Sequence, residues 1–208
     1  NTAPLFIQVP IDMYDVIIIG AGAAGLMCAM EAGKRGRRVL VLEKANKPGK
    51  KILISGGGRC NFTNLYTEPD AYLSNNPHFC KSALKSYTQS DFIKLVEKYG
   101  LPYHEKKLGQ LFCDKSASQI TEMLLAECDA AGVTIWCDSG ADAVIKNNAG
   151  GFDMHVDVQV VSASSQGPRR GSAQRAGSNR RGRAISARPM ASICCWPPES
   201  MPAAWRRF

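Results

Sequence analysis

The chain has 208 residues, enough for a domain with a sizeable core, and 45% of them are hydrophobic. Its formal charge of +8 is unevenly placed: residues 1–165 hold 17 Lys and Arg against 17 Asp and Glu, whereas residues 166–208 hold nine Arg, no Lys and one acid, Glu199. No apolar run reaches the ~18 residues of a membrane-crossing helix, and residues 1–12 lack a signal peptide's basic start and long apolar core, so we expect a cytoplasmic protein with no membrane partner.

Residues 1–12 carry Pro4 and Pro10 and no helical pattern, and read as an irregular leader before Met13. The run Val16 to Ile19 reads as a fully buried strand. It ends in Gly20-x-Gly22-x-x-Gly25, and a small-residue helix from Ala23 to about Lys34 follows, with Gly36 as its left-handed stop. Arg38 to Glu43 reads as a second buried strand that ends in a carboxylate, 23 residues after Gly20. Each part suits a dinucleotide. Gly20 permits the tight turn, Gly22 lets the backbone approach a pyrophosphate, and Gly25 lets helix and strand pack closely. The helix start offers unpaired N–H groups and a positive dipole end, and Glu43 stands where a ribose hydroxyl acceptor is expected. The competing reading is a ligand-free glycine turn with a solvated Glu43. A strand before the motif, a helix after it and an acid-terminated second strand argue against that.

Next comes a basic turn-rich loop, Lys44 to Lys51, and then Ile52-Leu-Ile-Ser-Gly-Gly-Gly-Arg-Cys-Asn-Phe-Thr-Asn64. Three consecutive glycines are unfavourable in a regular element and suit an unusual turn or a close ligand. Ser55 and Asn61 add hydroxyl and amide groups, and Arg59 adds a fixed fork of donors. Cys60, beside Arg59, reads as a packing cysteine rather than a lowered-pKa thiol. Residues 65–80 read as loop, with His78 at the surface. From Thr88 or Ser90 a helix runs to Gly100, with Phe92, Leu95, Val96 and Tyr99 as its core stripe. Pro102 to Phe112 predicts a hairpin turning at Lys106–Gly109. Tyr103 and His104 on it are weighed as acid/base candidates and assigned a structural or solvated role. Ser116-Ala-Ser-Gln119 has a capping-box pattern and opens a helix through Ala131, with Ile120, Met123, Leu124 and Ala131 inward. Val133 to Trp136 is a strand. Ala143–Lys146 and Phe152–Val156 form a hairpin around 147–151, which Val158–Val161 extends.

Past Ser165 no helical or strand period is legible, and we expect residues 166–208 to form a disordered, Arg-rich tail. A nucleic-acid-binding arm is the alternative for those arginines. The eight cysteines form no C-x-x-C pair and read as reduced thiols rather than a disulfide framework or zinc site.

Residues Met13 to about Val161 resemble the YhiN/BaiN-like (aminoacetone oxidase-like) FAD-dependent flavoproteins. The match is carried by Tyr14-Asp-Val-Ile-Ile-Ile-Gly-Ala-Gly-Ala-Ala-Gly25, Val41-Leu-Glu-Lys44 and Gly49-Lys-Lys-Ile-Leu-Ile-Ser-Gly-Gly-Gly-Arg-Cys-Asn-Phe-Thr-Asn64. The resemblance implies FAD as the bound dinucleotide. Gly20, Gly22, Ala24 and Gly25 would hold the pyrophosphate, Glu43 the adenosine ribose, and Lys44 would lie beside it. Lys51, Ser55, Gly56, Gly57, Arg59, Cys60 and Asn61 would line the flavin side, and backbone near Val144 would meet adenine. No metal site is implied, and no catalytic acid or base is singled out.

The expected fold is therefore α/β: a Rossmann-like FAD-binding domain over residues 13–165, a parallel sheet with helices in three layers and an added β-meander, incomplete at its C-terminal end. The family's chain is about twice as long, and its next buried strand should begin where the Arg-rich stretch begins. We therefore expect a truncated chain with a shifted frame near Ser165 and an open sheet edge. The expected function is a flavin oxidoreductase with NADH or NADPH as electron donor and a small-molecule substrate. The alternatives are a non-catalytic remnant that binds FAD weakly or not at all, and a nucleic-acid-binding protein acting through the tail.

Overall fold

In the computed structural model, residues 13–159 and 180–195 are described, with 157–159 and 180–195 as backbone alone. The leader and the remaining parts of the tail lie outside the described residues. In chain order the elements are β1 (Met13–Ile19), α1 (Ala23–Lys34), β2 (Val39–Leu42), α2 (Lys50–Ile54), β3 (Asn61–Asn64), α3 (Lys81–Ser86), α4 (Gln89–Lys98), β4 (Tyr103–Glu105), β5 (Gln110–Cys113), α5 (Ser118–Ala130), β6 (Thr134–Trp136), β7 (Ser139–Lys146), β8 (Phe152–Gln159) and β9 (Arg180–Cys195).

One sheet has the order β6-β2-β1-β9-β8-β7. Strands β6, β2, β1 and β9 pair in parallel, while β8 pairs antiparallel with both β9 and β7. The expected parallel sheet and added meander are both present. All four residues of β2 are buried, as a strand covered on both faces requires. Their period of two divides the core. Val39 and Val41, with Ile18 of β1, pack under Leu26, Ala29 and Met30 of α1 and Ile120, Met123 and Leu124 of α5. Leu40 and Leu42, with Ile17, pack against Met154 and Val156 of β8. Helices thus cover one face and the meander the other.

Helix starts follow local chemistry with one shift. Thr88 caps α4 through a complete capping box with Asp91. At α5 only half of the predicted box forms. The Ser116 N–H donates to Gln119 Oε1 at 3.4 Å, but Ser116 Oγ accepts from the Ser118 N–H at 3.1 Å. The helix therefore begins at Ser118, after an N-cap at Ala117. Ala131, expected inward on α5, is the half-buried C-cap instead. Two short helices had no sequence counterpart. One is α2, in a stretch read as loop; the other is α3, too short to show a full apolar stripe.

The larger correction concerns the tail. Arg180–Cys195 is strand β9, where no regular element was expected. Its first half pairs with β8 (Gln159 opposite Arg180 through Phe152 opposite Ala187), and its second half runs beside β1 (Val16 opposite Ser192 through Ile19 opposite Cys195). The pairing with β1 shifts between Ala187 and Ser192, the interval that holds Pro189, which has no N–H to give to a ladder. The edge of β1 expected to be open is therefore paired. Backbone pairing to strands on both sides supplies what the residue pattern of β9 did not reveal.

Candidate functional site

The β1–α1 turn, the end of β2 and the start of α2 converge on Ala21, which is fully buried. Its N–H donates to Glu43 Oε2 at 2.8 Å, and its carbonyl accepts from the Gly49 N–H at 2.8 Å. The Gly20 N–H donates to the Leu42 carbonyl at 2.7 Å, so the turn is tied to the tip of β2. The second oxygen of Glu43, Oε1, accepts from the Ala45 N–H at 2.8 Å. Gly49 has a φ of +70°, and an added Cβ would stand 2.7 Å from Thr121 Cγ2, so only glycine fits there. The sequence reading missed Ala21 and Gly49. Pro48-Gly49 just ahead of a basic helix start was the available signal.

The three motif glycines meet different demands. Gly20 has a φ of +101°. At Gly25 an added Cβ would lie 1.9 Å from the Gly20 carbonyl oxygen and 3.4 Å from Ile18 Cγ2, so its absence is what lets helix and strand meet. Gly22 is the N-cap of α1 with a φ of −82°, and an added Cβ there would meet open space. Nothing among the described residues requires glycine at that position. The cap makes no side-chain hydrogen bond, so the first-turn N–H groups, that of the half-buried Ala24 included, face outward without an intrahelical partner. An open, side-chain-free helix start of this kind fits a pyrophosphate.

The second glycine-rich stretch is mounted elsewhere. Gly56, Gly57 and Gly58 have φ values of +56°, +67° and +84°. Ser55 Oγ donates to the Ile52 carbonyl at 2.7 Å, ending α2. Gly56 lies against Phe112, where an added Cβ would be 2.7 Å from Cε1. The Ala117 N–H donates to the Gly58 carbonyl at 2.7 Å, the Cys113 N–H to the Arg59 carbonyl at 2.9 Å, and Arg59 Nη1 to the Asp114 carbonyl at 3.0 Å. The loop therefore hangs on the β5–α5 junction, while α2 ties its other end to the first glycine loop. Asn61, with its amide correctly oriented, donates to the carbonyls of Leu111 (3.0 Å) and Thr63 (2.9 Å), so it braces β3. Cys60 is buried at a φ of +50°. Burial pushes its thiol up, a hydrogen bond with Ser55 opposes this, and the residue packs as expected. Burial likewise pushes the neighbouring Cys113 thiol up to about 12, reinforced by the nearby Cys60 and Asp114.

Lys44, Lys47, Lys50 and Lys51 are exposed, and the stem of Lys44 passes Gly140 at the start of β7. The Ser139 N–H donates to the Glu43 carbonyl at 2.9 Å, so β7 begins at the site. Val144 lies four residues along β7 from Gly140, roughly 13 Å at ordinary strand rise, and is half-exposed. It is the candidate least drawn in by the observed contacts. Tyr103 donates to Glu97 Oε1 at 2.9 Å. His104 stands 2.6 Å from Asp114 Oδ1 and stacks on Phe112 with centroids 6.3 Å apart. No local pattern in the sequence signalled that carboxylate partner. Among the described residues no cluster of His, Cys, Asp and Glu could hold a metal, and no helix is long and apolar enough to cross a membrane.

The HI0933-like protein Rossmann domain matches residues 14–192, spanning both glycine stretches and most of β9. The chain belongs to this family. The match also runs well past residue 165, where composition changes. Among curated proteins, the chain is 60% identical over 150 residues to the ribosomal RNA dihydrouridine synthase of Escherichia coli (strain K12), covering 72% of this chain and 37% of that protein. It is 32% identical over 155 residues to the 3-dehydro-bile acid delta(4,6)-reductase of Clostridium scindens, covering 73% and 37%. The chain thus spans a little over a third of the length of these relatives. Among solved structures, 3-ketosteroid-delta4-(5alpha)-dehydrogenase from Rhodococcus jostii RHA1 superposes with a TM-score of 0.54 at 13% identity, over 92% of this chain and 47% of that one, a likeness of fold.

Proposed function

We propose that the chain forms the FAD-binding part of a flavin-dependent reductase that converts uridine in ribosomal RNA to dihydrouridine. Gly22 carries the dinucleotide half of this reading. Glycine there is demanded neither by its φ nor by any neighbour among the described residues, and a ligand's pyrophosphate supplies the missing reason. The relative at 60% identity supports the RNA half, which we put forward in place of the small-molecule substrate expected from sequence.

The residues have distinct tasks in this proposal. The N–H groups at Gly22, Ala24 and Gly25 meet the pyrophosphate. Each Glu43 oxygen already accepts one backbone N–H and keeps lone-pair capacity for a ribose hydroxyl, so the loop itself aims the carboxylate. The Gly56–Gly58 backbone, anchored through Gly58 and Arg59, presents a surface without side chains to the flavin end. When bound, the flavin supplies hydride for the C5–C6 double bond of uracil, with a proton completing the saturated ring. NADH or NADPH is the proposed electron donor.

The test starts from the visible absorption spectrum after FAD loading and removal of free cofactor. A retained flavin band supports the reading, and a colourless protein overturns it for this chain. Incubation with NADH or NADPH and ribosomal RNA, followed by nucleoside mass spectrometry, then reads the reduction. Flavin retained without dihydrouridine would remove the RNA half.

A further inference from the structure

Residues 44–67 hold five cations, Lys44, Lys47, Lys50, Lys51 and Arg59, and no acid, inside a 165-residue stretch whose charges sum to zero only with these five included. Some exposed lysines elsewhere find partners: Lys34 and Lys98 pair with Glu127, Lys94 with Asp91, and Lys106 lies over the Phe112 ring. Lys81, Lys85, Lys107, Lys115 and Lys146 stand singly or in twos along the chain, whereas residues 44–51 gather four lysines within eight positions. For Lys44, Lys47, Lys50 and Lys51 no ion pair forms among the described residues. The acid adjacent in sequence, Glu43, is turned into the backbone at Ala21 and Ala45.

This positive surface sits on a firm mount. Ile52 is buried, Gly49 is wedged against Thr121, and Ser55 closes α2. Lys47, Lys50 and Lys51 line a shallow hollow with Leu53 and Ile54, and Ile54 is 76% exposed. Lysines without counter-ions around an uncovered aliphatic side chain match a repeating polyanion with an apolar component. In the proposed cofactor pose the pyrophosphate goes to the start of α1 and Lys44 and Lys51 lie beside the dinucleotide, which leaves Lys47 and Lys50 for another polyanion. We infer that the Lys47–Ile54 surface docks the RNA strand: Lys47 and Lys50 neutralise backbone phosphates while Ile54 lies against a sugar or base. The inference rests on the RNA reading above and names the surface that serves it.

The full chain, loaded with FAD, is titrated against a labelled single-stranded RNA across a salt series and compared with the double variant Lys47→Gln, Lys50→Gln. Each lost phosphate contact lowers the slope of log K against log salt by about 0.7 on a single strand. The expected result is a slope reduced by about 1.4 and binding weaker by about tenfold. The weakening should be equal for uridine-rich and unrelated sequences, because backbone contacts carry no base information. The arginines of residues 166–208 are the same in both proteins, so the difference isolates the two lysines. Unchanged affinity and slope overturn the inference and leave RNA binding to other groups. Loss of binding to phosphatidylserine vesicles with RNA binding intact overturns it in favour of a lipid surface. The flavin band is read on both proteins. Its absence from the parent defeats the cofactor reading, while a lysine-dependent salt slope in that same sample still upholds the surface.

Discussion

Gly22 and Gly25 stand three residues apart and answer opposite constraints. At Gly25 a methyl group would collide with the Gly20 carbonyl, so Gly25→Ala should cost about 3 kcal/mol or more, read as a large fall in the urea midpoint. At Gly22 the backbone is ordinary and the space is open. Gly22→Val should melt within about 3 °C of the parent, yet lose flavin retention by at least about tenfold. A Gly22→Val protein that keeps its flavin would show that no ligand claims that space. Thr121 offers a third test. It is buried beneath Gly49, and its hydroxyl makes no hydrogen bond among the described residues. Thr121→Val keeps the shape and removes an unsatisfied polar atom, so stability should be unchanged or higher by up to about 1 kcal/mol. A marked loss would mean the hydroxyl has a partner.

At the scale of elements, Glu127 joins three helices. It lies on α5 and is almost fully buried. Lys34 of α1 stands 2.7 Å from it, and Lys98 of α4 stands 2.6 Å away. Tyr99, at the end of α4, donates to it at 2.9 Å. These hydrogen bonds, that with Lys34 foremost, hold its carboxyl at about 2 in the folded protein, well below the usual 4.5. A group lowered on folding contributes fully above its unfolded value and is lost as pH falls through the folded one. Stability should therefore fall from about pH 4.5 towards 2. The contribution is on the order of 2 kcal/mol, with both lysine heads discounted for their contact with water. Glu127→Gln should destabilise at neutral pH and flatten that acid limb. Parallel stability curves for parent and variant between pH 5 and 2.5 would show that another group controls it. The same three helices form the layer over Val39 and Val41, so the cost should spread to the packing of α1 on the sheet.

For the whole molecule, β9 links the meander to the parallel sheet. Its first half belongs to β8 and its second half to β1. A chain ending at residue 165 would bare the edges of both strands, β1 being the central strand that carries the glycine turn. Such a chain should aggregate and melt without cooperativity, as light scattering and calorimetry would show. A monodisperse, cooperatively melting product would mean that β9 adds little to the fold. The charge layout also acts at this scale. With 17 cations and 17 acids over residues 1–165, the lysines of 44–51 are a local concentration and not part of a general basic surface.

The residue pattern alone determined α1 and β2 to within a residue or so, the C-terminal end of β1, most of the α4 and α5 cores, both hairpins and the irregular turn at the glycine run, because each is set by neighbours a few positions away. Glu43 was likewise legible from its spacing to Gly20. Three features needed tertiary structure. Ala21 became the meeting point of three segments only when Gly49 folded back upon it, 28 residues later in the chain. Asp114 reached His104 only through the β4–β5 ladder. Strand β9 has no clear period of its own and is a strand because β1 and β8 offer it unpaired N–H and C=O groups on either side. Local propensity and periodicity are properties of short windows, whereas pairing partners and buried contacts come from distant parts of the chain, and only the folded chain brings those together.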